Sequence, residues 1–146
     1  LALVAHHAAH PMFRTAFNSP LTGPCVDKSF QSTHFHTGID IANVLDTPVV
    51  AAAPGRVILA TSSRDAAGNL VGYGNYVVID HGGGYLTLYG HLDKFVVTAG
   101  QLVQRGQEIG LLGSTGWSTG PHLHFEIRHD GDYVNPEPLL GAAVRP

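Results

Sequence analysis

The chain has 146 residues, 44% hydrophobic and 13% charged, with 18 Gly, 9 Pro and a formal net charge of −3. That balance describes one turn-rich domain with a single core and excludes a disordered or coiled-coil chain. It leaves no basic footprint for nucleic acid or an anionic membrane surface, and no apolar run reaches membrane-spanning length.

In chain order, Leu1–Val4 is too short for a signal-peptide core, and the start at Leu1 without Met reads as a mature or trimmed fragment. Residues 1–29, with His6, His7 and His10 among alanines, read as a lead-in. Cys25 is the sole cysteine, so neither an internal disulfide nor a cysteine zinc site can form. Its turn-like setting, Thr22–Val26, suits a small semi-buried residue rather than a nucleophile. Lys28–His34 has no clear period.

His36-Thr-Gly-Ile-Asp-Ile-Ala42 reads as a strand, since Gly38 and the isoleucines disfavour a helix. Pro48–Ala52 and Arg56–Ala60 are apolar strands separated by an Ala-Pro-Gly turn, and Ser62–Gly74 reads as a polar loop. Asn75–Asp80 and Tyr85–Tyr89 form a hairpin through His81–Gly84, with His81 expected at the surface and His91 at the end of the second strand. Short β segments follow over Val96–Leu112. Gly113–Gly120 is a small-residue loop, and Pro121–Arg128 alternates Leu123, Phe125 and Ile127 with His122, His124 and Glu126. Asp130–Gly131 makes a turn and His129 is expected at the surface. No segment of helical length repeats its apolar residues at helical spacing. The expectation is an all-β single domain of antiparallel sheets with a barrel-sandwich-like core, spanning 30–140 before a tail at 141–146. The Ser62–Gly74 and Gly113–Gly120 loops, carrying Tyr73 and Trp117, are expected to wall a groove. Asn75 and Tyr76 are assigned to fold and groove.

On a strand, His36, Gly38 and Asp40 share a face, and Gly38 would leave open space between the two polar groups where an ion could sit. If the strand of His124 lies beside this one, His36, Asp40 and His124 make a two-histidine, one-carboxylate set. Such a set suits zinc and keeps a fourth position for water, which loses a proton near neutral pH. His122 would stand beside it as general base, and His91 would donate to a developing oxyanion. Strand geometry does not by itself separate the roles of His122 and His124. Glu126 either orients a ligand imidazole or pairs with Arg128 or solvent; His34 is a solvated or outer histidine.

His36-x-x-x-Asp40 with His122-x-His124 resembles the motif pair of lysostaphin-type zinc endopeptidases, which cut peptide bonds in bacterial peptidoglycan. Pro54-Gly55-x-Val57, Gly74-Asn-Tyr-Val77, Tyr89-Gly-His-Leu92, Gly113-x-Thr-Gly116 and Gly120-Pro-His-Leu-His-Phe-Glu126 follow in order, so the resemblance covers roughly residues 30–140. It implies Zn2+ on His36, Asp40 and His124, with His91 and His122 catalytic. It also implies an extracytoplasmic setting (periplasm, cell wall or secreted) and peptidoglycan peptides as partners. A monomer is favoured, with no nucleic acid and no membrane insertion in this stretch.

Relatives that have lost ligands act as hydrolase activators, whereas every expected position is kept here, which argues for an active enzyme. Many relatives carry an upstream Arg or Tyr that helps bind substrate or steady the oxyanion. Lys28–Phe35 has neither, and Arg14 is loosely spaced. A swinging-arm carrier domain is disfavoured because neither lysine, Lys28 or Lys94, lies in a suitable hairpin turn.

Overall fold

The computed structural model describes residues 26–28, 37–136 and 139. Readings placed on Arg14, Cys25, His34 and the expected ligand His36 lie outside the described residues. Among the described residues ten strands follow one another: β1 (Val26–Lys28), β2 (Ile39–Ala42), β3 (Pro48–Val50), β4 (Gly55–Arg64), β5 (Leu70–Gly82), β6 (Tyr85–Phe95), β7 (Leu102–Val103), β8 (Glu108–Leu112), β9 (His122–His129) and β10 (Asp132–Val134). They hydrogen-bond into one antiparallel sheet of order β1-β2-β9-β6-β5-β4-β7, with β10 on β9 and β8 joining β3 to β6. The all-β antiparallel expectation holds.

The apolar alternation sets the register. Ile39 and Ile41 of β2 lie opposite Phe125 and Leu123 of β9, and all four are fully buried. Tyr89 of β6 lies opposite Phe125, with ring centroids 5.3 Å apart. Burying each such side chain contributes about 1.5–3 kcal/mol. A one-residue slip of β2 would expose two isoleucines and drive Asp40 into the core, so apolar packing holds the polar residues in place.

Two local readings are corrected. Ser62–Gly74 is mostly strand: β4 runs to Arg64 and β5 begins at Leu70, with a turn between them closed by the Asp65 carboxylate on Ala67 N and Asn69 N. His81 is not at the surface; it lies within β5 and is 1% exposed. Its Nδ1 is 2.7 Å from Pro54 O and its Nε2 2.7 Å from Thr87 Oγ1. The Thr87 and Tyr89 hydroxyls are 2.9 Å apart, and Ala52 N–H donates to the Tyr89 oxygen. A histidine inside such a chain of partners replaces water with protein hydrogen bonds, which is how a polar residue enters a core. His129 is half-exposed, stacked on Tyr85 at 4.0 Å.

The feature that makes room for a site lies in β6. Along one edge, Tyr85–Gly90 pairs with β9 and Leu92–Phe95 with β8. On the other edge, Asn75 pairs with Leu92 and Val77 with Tyr89, so β6 holds an extra residue there. His91 sits at this bulge with φ of 63°, a left-handed conformation that is uncommon for a side-chain-bearing residue. The bulge resets the alternation: Tyr89 and Leu92 both enter the core, and His91 joins Gly90 on the opposite side. Strand β6 continues past His91 to Phe95, further than its sequence suggests.

Candidate active site

Away from the core, β2, β9 and β6 bring Asp40, His122, His124 and His91 together. Asp40 is the register partner of His124, and His122, two residues earlier on β9, faces the same way. His124 Nδ1 lies 3.0 Å and His122 Nε2 3.7 Å from Asp40 Oδ1. The His91 ring centroid is 4.6 Å from that of His122 and 6.1 Å from that of His124. Opposite His124 on β6 stands Gly90, which brings no side chain into this space.

The imidazoles of His91 and His122 are each held to a loop carbonyl through Nδ1, and the partner decides which nitrogen carries hydrogen. His91 Nδ1 is 2.7 Å from Thr115 O, and His122 Nδ1 is 2.9 Å from Gly120 O. A carbonyl only accepts, so both Nδ1 atoms carry hydrogen, and in this tautomer Nε2 is the nitrogen that bears the lone pair. Ser118 Oγ, 3.1 Å from His122 Nδ1, also donates to Gly120 O. Both carbonyls belong to the loop between β8 and β9, which Thr115 and Asn75 fasten to the bulge. The Thr115 hydroxyl donates to Leu92 O, and the Asn75 amide donates to Leu92 O and Asp93 O. Burial pushes His91 down to about 4, so its ring is neutral at pH 7.

His124 lies between two carboxylates, with Nε2 2.8 Å from Glu126 Oε2 and Nδ1 facing Asp40. Burial opposes its charge, but hydrogen bonds to Asp40 and Glu126 prevail and push it up to about 9. Burial likewise opposes charge on Glu126, yet the hydrogen bonds from His124, Thr37 and Tyr73 hold its carboxyl down at about 2.

Nδ1 of His124 and Oδ1 of Asp40 stand 3.0 Å apart, an approach that needs either a proton on Nδ1 or a cation between the two atoms. One imidazole nitrogen and one carboxylate oxygen, with the imidazole's other N–H on a buried carboxylate, is a donor set that fits zinc. Among the described residues Asp40 and His124 are the donors that fit; His36 lies outside them.

Gly38 does not hold open space for an ion. A Cβ there would collide with the Phe125 carbonyl oxygen and meet Glu126 Cγ at 2.9 Å. Its smallness lets β2 close on β9. Tyr73, read as a groove aromatic, stacks on His124 at 5.7 Å and donates to Glu126. Trp117 is 77% exposed on the neighbouring loop. The sequence reading missed the holding groups: Thr37, Tyr73 and the carbonyls of Thr115 and Gly120. Polar residues continuing at 126 and 128 beyond the His122/His124 pair were the available signal, and the carbonyls left none.

Residues 34–136 match Peptidase family M23. The chain is 47% identical over 100 residues to peptidoglycan DD-endopeptidase ShyA of Vibrio cholerae, covering 68% of this chain and 22% of that protein. It is 40% identical over 122 residues to the murein hydrolase activator NlpD of Salmonella dublin, covering 84% of this chain and 30% of that one. The chain thus spans less than a third of the length of these curated relatives. A zinc containing peptidase from Vibrio cholerae superposes with a TM-score of 0.69 at 36% identity, covering 82% of this chain and 38% of the other. With the family's match running from residue 34, through the β2–β9 pairing and the β6 bulge, to residue 136, the chain belongs to peptidase family M23.

Proposed function

We propose that this domain, residues 30–140, is a zinc-dependent endopeptidase that hydrolyses peptide bonds of bacterial peptidoglycan, in a stem peptide or a cross-bridge, outside the cytoplasm. His36, Asp40 and His124 would hold the metal. The observation that carries the reading is the 3.0 Å approach of His124 Nδ1 to Asp40 Oδ1, beside two imidazoles held in one tautomer. When bound, zinc supplies a Lewis acid that acidifies water and polarises the scissile carbonyl.

The chain's own residues supply the proton chemistry. His122, with Nδ1–H on Gly120 O, offers Nε2 on the Asp40 side of the cleft and takes the proton of the attacking water. His91, with Nδ1–H on Thr115 O, offers Nε2 beside it. Handed the water's proton by His122 across the cleft, that nitrogen would donate to the developing oxyanion and deliver the proton to the leaving amine. The start of β5 at Tyr73 and the loop carrying Trp117 line the peptide's path. No helix among the described residues is long and apolar enough to cross a membrane. A monomer acting on wall peptides, without nucleic acid, fits this reading.

Similarity to NlpD favours a second reading, a hydrolase-activating or wall-binding domain on the same scaffold. Metal analysis with a peptidoglycan digest read by mass spectrometry, with and without chelator, separates the two. About one zinc per chain with chelator-sensitive new peptide ends establishes the endopeptidase. Zinc without cleavage favours the second reading, and absence of zinc removes the metal site.

A further inference from the structure

Glu126 is fully buried, yet five donor atoms of the described residues converge on it. Thr37 Oγ1 donates to Oε2 at 2.6 Å, Tyr73 Oη at 2.5 Å, and His124 Nε2 lies 2.8 Å from the same oxygen. Arg128 reaches Oε1 through Nε at 3.0 Å and Nη2 at 2.9 Å. Pairing with Arg128 alone would balance the charge of a buried carboxylate. The second oxygen gathers groups from three separate parts of the chain: Thr37 ahead of β2, Tyr73 on β5 and His124 on β9. Thr37 is the residue after His36. The place of Gly38 is consistent with this arrangement, because a side chain there would strike Glu126 Cγ.

We propose that Glu126 is the positioning residue of the metal centre, fixing His124 with hydrogen on Nε2 and Nδ1 turned towards Asp40, while Thr37 and Tyr73 lock the carboxylate. Both ring nitrogens face carboxylates, which only accept, but Glu126 is already held by Thr37, Tyr73 and Arg128, so Nε2 keeps its N–H there and a cation shared with Asp40 would displace the proton of Nδ1. Through Thr37, the same carboxylate anchors the chain next to His36. Tyr73 adds a second restraint, its ring stacked on His124 at an interplanar angle of 21°. This inference rests on the zinc reading above and adds to it the residue that selects the ligating atom.

The test uses the whole chain loaded with zinc. Affinity is read by chelator competition, and the ligating nitrogen of His124 by long-range 1H–15N correlation. In the wild type, Nδ1 carries the metal and Nε2 the hydrogen. Glu126→Gln presents one carbonyl oxygen where two carboxylate oxygens served, so an NH2 group meets either Arg128 or the three donors. Zinc affinity should fall about 10–100-fold. Tyr73→Phe keeps the ring and the fold while removing one restraint, and should weaken zinc by up to about 10-fold with Nδ1 still ligating. This variant carries the test if Glu126→Gln does not fold. Zinc affinity within about twofold of wild type in the folded variants, with only melting temperature lowered, would reduce Glu126 to a structural residue and overturn the proposal. Ligation through Nε2 in the wild type would overturn it as well. Failure of the wild type to bind zinc instead removes the metal centre itself, a distinct outcome.

Discussion

Asp40 and His124 are register partners across β2 and β9, and their facing atoms, Oδ1 and Nδ1, stand 3.0 Å apart. Their meeting is imposed from the other face of the sheet, where Ile39, Ile41, Leu123 and Phe125 interlock. Apolar packing, on the order of several kcal/mol for such a quartet, places two groups that would otherwise remain hydrated.

His122 and His124 are neighbours on one face of β9 but differ in what holds them, and that difference predicts separable phenotypes. His122→Ala should abolish peptidoglycan cleavage and leave zinc content near that of the wild type, because its Nδ1 faces the loop's Gly120 carbonyl and Ser118 hydroxyl and its Nε2 lies on the cleft. His124→Ala should lose both. Equal metal loss in the two variants, measured by elemental analysis, would overturn this division of roles.

Gly38→Ala tests the reinterpretation of that glycine. If it provided space for an ion, an added methyl would obstruct metal and spare stability. The added Cβ instead strikes the Phe125 carbonyl, so β2 must move off β9. The variant should be destabilised by at least about 1–3 kcal/mol, the usual range for overpacking, and should bind zinc more weakly. Denaturant unfolding at unchanged stability would restore the earlier view.

The contrast between Gly38 and Asp40 shows what the sequence made legible. Period-two alternation placed Ile39, Ile41, Leu123, Phe125 and Ile127 correctly, and with them the side of the sheet on which Asp40, His122 and His124 stand. Alternation describes unbroken strands and cannot reveal a bulge, so the continuation of β6 through His91 was invisible. It also assumes that one face is wet. Glu126 and His81 are polar, yet partners distant in sequence bury them, and such partners leave no periodic trace. The extent of β5 was hidden differently: Gly72 and Gly74 look like loop residues but occupy positive-φ positions within a strand.

His91 itself offers a test of the bulge. Its φ of 63° suits Asn, which tolerates left-handed backbone, and opposes a β-branched residue. His91→Asn should fold with a stability near that of the wild type. His91→Val should lose about 1–3 kcal/mol more, from backbone strain. Both should fail to cleave peptidoglycan. Equal stabilities in urea would show that β6 relaxes to a regular strand when the imidazole is removed.

His81 predicts how the domain fails in acid. Burial, the largest influence, lowers it from an ordinary 6.5 to about 4; its contact with Pro54 O and nearby Asp80 oppose this shift, and Arg105 adds to it. Above pH 6.5 the ring is neutral in both folded and unfolded chains and contributes no slope. Between 6.5 and 4 the unfolded chain takes up a proton that the folded chain refuses, so stability falls as pH falls, by at most about 3 kcal/mol. His91, lowered to about 4 by burial, contributes in the same window, so the slope alone does not identify His81. His81→Gln separates them. Its amide can still donate to Pro54 O and meet Thr87, but it does not titrate. It should be somewhat less stable than the wild type at pH 8 and lose less between pH 6.5 and 4, the two urea midpoints converging as acid is added. Parallel midpoints across that range would mean that the folded chain protonates His81 without resistance.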